Sequence, residues 1–183
     1  MPQDNVRNNN FYEFNSLYKC IPLLTPITPN INKALFLDRD GVINVDKNYL
    51  YRIEDCEFID GIFELCRAAK EKQYKIVVVT NQAGIAKGYY TENDYKILMD
   101  YISREFIKQN CPLDDIYYCP FHINGIGKYK KDSEDRKPNT GMLIKAINKY
   151  KLDTANSILI GDKESDILAG KRAGIGTLIK ISN

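Results

Sequence analysis

Five short apolar runs, KALFLD, YKIVVVT, LDDIYYCP, NSILIGD and TLIKI, constrain this chain more than any other feature. They are too short for helices and read as strands, mostly buried on both faces. Between them the period changes to that of a helix. In DGIFELCRAAKEKQ, Ile62, Phe63, Leu65, Cys66 and Ala69 fall at helical spacing. TENDYKILMDYISREF opens with Thr91 and Asp94 in a capping-box arrangement. Its stripe of Tyr95, Leu98, Met99, Ile102 and Phe106 reads as helix core. GMLIKAINKY and SDILAGKRAG, the latter closed by Gly174, complete the alternation. Such a pattern predicts an α/β fold, a doubly wound parallel sheet with helices on both faces. Ligands of these sheets sit beyond the carboxyl ends of the strands.

The chain's 183 residues suit one well-buried domain. Residues 1–32 read as an N-terminal arm, extended or partly docked, because Pro2, Pro22, Pro26 and Pro29 disfavour helix and inner strand. Residues 33–183 then form the domain proper. A net charge of +2 supplies no field for nucleic acid or an anionic membrane. No apolar stretch approaches the roughly 20 residues a bilayer span needs, and the N-terminus is too polar for a secretory signal. Five cysteines without a C-x-x-C spacing argue against a disulfide framework. A reduced, cytoplasmic monomer is expected.

Chemistry gathers at the strand ends. FLDRDGVIN places Asp38 and Asp40 two apart on an extended chain, so both project to one side. Two such carboxylates imply a shared proton or an intervening cation. VVVTNQAGIAKG offers the Thr80 hydroxyl and the amides of Asn81 and Gln82, donors suited to an anion. ILIGDKESD puts Asp162 at a strand tip, whereas Asp166, four further on, can be a plain helix cap. In RKPNTG, Arg136 and Lys137 precede a proline that starts a helix. Three acids, a hydroxyl and a lysine at neighbouring strand ends are what phosphoryl transfer through an aspartate requires. A carboxylate is ordinarily ionised at neutral pH, so the nucleophile needs no base. The cation that offsets phosphate repulsion would be magnesium, given oxygen ligands.

FLDRDGVIN, VVVTNQAGIAKG, RKPNTGM and GDKESD, in this order, resemble the haloacid dehalogenase superfamily of aspartyl-phosphate phosphatases. From about Lys33 onward the chain is similar to the D-glycero-D-manno-heptose 1,7-bisphosphate phosphatase family, close to histidinol phosphatases. That resemblance implies a minimal cap, Asp38 as nucleophile and Asp40 as general acid and base. Thr80 and Lys137 would hold the phosphoryl group. Asp38, the main-chain carbonyl of Asp40, and Asp162 would ligate Mg2+. Asp46, Lys47, Asn48, Tyr49, Asn81, Gln82, Ala83, Arg136 and Lys163 would contact substrate, with Arg136 and Lys163 facing the phosphate that is not transferred. The implied reaction removes the C7 phosphate of the heptose bisphosphate, feeding nucleotide-activated heptose. Histidinol-phosphate hydrolysis is the rival within the scaffold, and a non-catalytic binding subunit is the rival outside it.

The family's loop before the Arg-Lys pair binds a structural zinc through C-x-H and C-x-C pairs. Here only Cys119 is in register. Phe121 replaces the histidine, His122 comes one residue late, and Ser133 and Asp135 replace the second pair. Three or four nitrogen and sulfur ligands close such a site, so no structural zinc is expected.

Overall fold

The computed structural model describes residues 9–182. Asn10–Phe14 forms β1, and the five apolar runs become β2 (Lys33–Leu37), β3 (Tyr74–Asn81), β4 (Asp115–Cys119), β5 (Ile158–Gly161) and β6 (Thr177–Ile181). They make one sheet in the order β1-β6-β5-β2-β3-β4, and every pairing is parallel. The helices are α1 (Ile62–Glu71), a short α2 (Ala83–Ala86), α3 (Glu92–Lys108), α4 (Gly141–Tyr150) and α5 (Glu164–Arg172). Thr91 and Asp94 exchange the side-chain-to-backbone hydrogen bonds of a capping box at the start of α3.

Alternation along β2 builds a core on each face. Leu35 and Leu37 pack with Ile62 and Leu65 of α1 and with Leu98, Ile102 and Phe106 of α3. Ala34 and Phe36 join Met142, Leu143 and Ala146 of α4 and Ala169 of α5. Phe36 is fully buried, and burial of such a side chain stabilises by about 1.5–3 kcal/mol.

The N-terminal arm is more regular than its prolines suggest. Residues 1–8 lie outside the described part, but β1 pairs along its whole length with β6. Leu17–Leu23 forms a 3-10 helix, and Leu17, Cys20 and Leu24 are buried in the core shared by α1 and α3. The Lys33 ammonium then gathers the crossing to β2 by donating to Thr25 O, Thr25 Oγ1 and Pro26 O at 2.7–3.0 Å. Pro22 lies in the 3-10 helix and Pro26 and Pro29 in the crossing, where no ladder N–H is required.

The chain runs outward from β2 to β3 and β4, then crosses back to β5 and runs outward to β6. The crossovers diverge between β2 and β5, which opens a crevice at their carboxyl ends. Asp38 and Asp162 are the next residues after those two strands. Among the described residues no helix is long and apolar enough to cross a membrane.

Candidate active site

Asp38 leaves β2 with its N–H bonded to Ile160 O of β5 at 3.1 Å. Two glycines then let the acids converge. Gly41 has φ +89°, and a Cβ there would stand 2.2 Å from Asp162 Oδ2. A Cβ on Gly161 would stand 2.2 Å from Asp166 Cβ. Neither position has room for a side chain. One carboxylate oxygen from each of Asp38, Asp162 and Asp166 lies within 4.8 Å of the others.

Lys137 reaches this cluster from the loop between β4 and α4. Its ammonium lies 3.0 Å from Asp38 Oδ1 and 2.5 Å from Asp166 Oδ1, and donates to Val79 O at 2.7 Å. Asn81, at the end of β3, fixes the lysine's main chain from both sides. Asn81 Nδ2 donates to Lys137 O, and Lys137 N donates to Asn81 Oδ1, each at 3.0 Å. Asp166, set aside from sequence as a helix cap, does cap α5, with Oδ2 accepting from the Asp162 and Lys163 N–H groups at 3.1 Å. Its other oxygen holds Lys137, so the residue braces the site as well.

Burial and neighbouring charge both act on this cluster. Burial, followed by repulsion from Asp166 and then Asp162, pushes the Asp38 carboxyl well above its usual range despite Lys137. Burial and Asp166 also raise Asp162. Burial pulls the Lys137 ammonium down, but Asp166 and Asp38 outweigh it and hold the group above its usual value. A cation bound among these carboxylates would offset their mutual repulsion. The residues fit one. Asp162 Oδ1 is buried without a hydrogen-bond partner, and both oxygens of Asp166 are engaged. Asp38 and Asp162 thus remain as the hard oxygen ligands that Mg2+ favours.

Above the cluster lies a cavity of about 430 Å³, within the usual range for small-ligand sites. Asp38, Asp40, Lys137 and Asp166 line its floor, and Asp46, Asn48, Tyr49, Arg136 and Lys163 its walls. Asn81, Gln82 and Ala83 line it too, but the Asn81 side chain is spent on Lys137. The Gln82 Nε2 donates to Asp40 Oδ2 at 3.2 Å and Thr80 Oγ1 at 2.9 Å. Both residues thus line the cavity while their amides hold Lys137, Asp40 and Thr80 in place. Asp40 Oδ1 accepts from Arg39 Nη2 at 2.9 Å and Asn44 Nδ2 at 3.0 Å. Thr80 is fully buried beneath Gln82 and outside the cavity wall.

Lys47 stands apart from its neighbours. Its ammonium pairs with Glu57 at 3.1 Å and lies outside the cavity. The neighbouring Asp46 turns the chain, accepting from Asn48 N at 2.9 Å, and Asn48 and Tyr49 adopt φ of 57° and 75°. This turn separates Lys47 from the side chains that do face the cavity. Lys87 and Tyr90, which the sequence did not single out, also line it, and Lys87 Nζ donates to Tyr49 OH at 2.8 Å.

The loop after β4 offers no zinc ligand set. Cys119 is buried, its thiol donating to Phe121 O at 3.9 Å. Asp135 pairs with Lys145 at 2.7 Å, and His122 Nδ1 accepts from Asn124 N at 2.9 Å. Among the described residues the Asp38 trio is the one group of three such side chains placed for a metal. The residues at the family's zinc positions do not fit that metal.

Residues 135–179 match the HAD-hydrolase-like family model. Over 151 residues the chain is 53% identical to the D-glycero-alpha-D-manno-heptose-1,7-bisphosphate 7-phosphatase of Burkholderia mallei, spanning 82% of this chain and 80% of that protein. The chain belongs to the heptose-1,7-bisphosphate 7-phosphatase family. The D-glycero-alpha-D-manno-heptose-1,7-bisphosphate 7-phosphatase of Campylobacter jejuni is 55% identical over 150 residues, 82% of this chain and 83% of its own. The D-glycero-beta-D-manno-heptose-1,7-bisphosphate 7-phosphatase of Haemophilus influenzae is 44% identical over 152 residues, 83% and 80% respectively. The D,D-heptose 1,7-bisphosphate phosphatase of B. bronchiseptica, solved with magnesium and phosphate, superposes with a TM-score of 0.71. It is 25% identical, over 79% of this chain and 78% of that one. As a family member the chain is a phosphatase, and the parallel α/β core read from its sequence is the family's core.

Proposed function

We propose that this family member removes the C7 phosphate of D-glycero-α-D-manno-heptose 1,7-bisphosphate through an aspartyl phosphate on Asp38. The observation that carries this reading is that the Asp38–Lys137 pair and the cations Arg136, Lys87 and Lys163 line one cavity. One end suits the transferred phosphate and the other a second anion. The alpha anomer is favoured by 53% and 55% identity to relatives named for it, against 44% to one named for the beta anomer.

A carboxylate oxygen of Asp38 attacks phosphorus, and the bond to the sugar oxygen breaks. Asp40 gives the departing oxygen a proton, then takes one from the water that attacks the aspartyl phosphate. Inorganic phosphate leaves and Asp38 is restored. Lys137, fixed by Asn81 and Asp166, neutralises charge on the phosphoryl oxygens, while the buried Thr80 hydroxyl, below the cavity, accepts from Gln82. Mg2+ held by Asp38, Asp162 and the Asp40 carbonyl would keep Asp38 ionised and lower phosphate repulsion. The five cysteines are free thiols, which accords with a reducing cytoplasm, and the reading takes the chain as a monomer.

The test is kcat/KM for phosphate release from the alpha anomer, the beta anomer and histidinol phosphate. The alpha anomer should be hydrolysed fastest, leaving heptose 1-phosphate. Equal or faster turnover of histidinol phosphate would overturn the assignment. Asp38→Asn should fold and release no phosphate.

A further inference from the structure

The Gln82 amide is nearly symmetric in shape, yet its two ends have opposite hydrogen-bonding character. With Nε2 toward the site it donates to Asp40 and Thr80. Reversed, its oxygen would face the Asp40 carboxylate, acceptor against acceptor. Something must fix the useful orientation, and Tyr90 occupies the deciding place. Its hydroxyl donates to Gln82 Oε1. Tyr90 is 6% exposed, and burial above all raises its phenol, so it stays protonated and able to donate.

The ring is held as firmly as the hydroxyl. Tyr90 stacks on Tyr51 with centroids 5.5 Å apart and planes 11° from parallel. A Cβ on Gly84 would lie 2.2 Å from Tyr90 Cε1 and 3.0 Å from Tyr49 Cδ1, so α2 presses against both rings. Tyr51 continues the segment that carries Asp46, Asn48 and Tyr49 into the cavity.

We infer that Tyr90 is a positioning residue, which fixes the Gln82 amide toward Asp40 and Thr80 and ties that arrangement to the substrate-facing segment Asp46–Tyr51. The inference rests on the proposed acid–base role of Asp40. It predicts that losing the hydroxyl slows the chemistry without weakening substrate binding, because the hydroxyl is committed to Gln82 and the ring stays on the cavity wall.

Tyr90→Phe keeps the ring and removes only the donor. With heptose bisphosphate and Mg2+, kcat should fall about tenfold while KM stays within about twofold. Melting should move by no more than about 2 °C. The decisive measurement is a double-mutant cycle with Gln82→Met, which has no amide to orient. In that background Tyr90→Phe should change kcat by less than about twofold. A full tenfold loss there would overturn the inference, as would an unchanged kcat in the single variant. Asp40→Asn separates this from the parent reading. If it kept wild-type activity, the acid–base assignment and the inference would both fail; if it is inactive, the cycle judges Tyr90 alone.

Discussion

Replacing Lys137 with methionine removes the cation that faces both Asp38 and Asp166, and the cost can be worked from the geometry. Lys137 is 4% exposed, its partners are 8% and 2% exposed, and the contacts are 3.0 and 2.5 Å. Deleting one member of a buried ion pair costs about 3–5 kcal/mol, because uncompensated charge remains behind. A domain of this size loses roughly 2–4 °C per kcal/mol, so melting at pH 7 should fall by about 6–20 °C. The sign with pH also follows. Lys137 is raised in the fold, so its contribution is complete below its ordinary value of 10.5 and constant across neutral pH. Asp38 is raised too, so in the variant it takes up a proton as pH falls and the deficit shrinks toward pH 4. Calorimetry of Lys137→Met and of Lys137→Met/Asp166→Asn tests this. The double variant should recover at least half the lost melting temperature while releasing no phosphate. A single variant melting within 2 °C of wild type would refute the reasoning.

In metal-free protein, Asp38 and Asp162 hold protons more tightly folded than unfolded, so stability should decline as pH rises from about 4 through their raised values. The melting gain from Mg2+ should therefore be larger at pH 8 than at pH 5, and equal gains would count against the site. Gly41→Ala, which thrusts a methyl group into the Asp162 carboxylate, should abolish phosphate release and Mg2+-dependent stabilisation; retention of both would contradict the close approach. Leu17→Ala should cost about 2–5 kcal/mol by opening a cavity in the α1–α3 core, with kcat per folded molecule unchanged. Elemental analysis should find no stoichiometric zinc, and a zinc chelator should leave melting unchanged.

The strands β2 to β6 were legible because each carries a short apolar run without helical period, and β2 and β5 are buried on both faces. β1 was not, since NFYEF alternates polar residues on an exposed edge and sits among asparagines and prolines. The acids were legible as residues but not as partners. Asp166 has a sufficient local explanation as a cap, and only the tertiary position of Lys137 reveals its second contact. Lys47 failed for the opposite reason: family likeness gives residue order, while the turn at Asp46 decides direction. Tyr90 and Lys87 sit where no periodicity marks them, in the segment between α2 and α3. The upward shift of the Asp38 carboxyl could not be read from sequence, because it comes from burial and from Asp166 and Asp162, which only the fold brings in.

Among the described residues β1 pairs with β6 alone, and the contacts that seat it join positions such as Asn9 and Ile175, 166 residues apart. β1 can therefore be seated only once the strand farthest from it along the described chain is available. Closing so long a loop is slow to be rewarded, and an apolar segment such as FYEFNSLYKCIPLL stays exposed while the rest of the sheet assembles. Of the sheet's pairings, β1–β6 closes the longest stretch of chain.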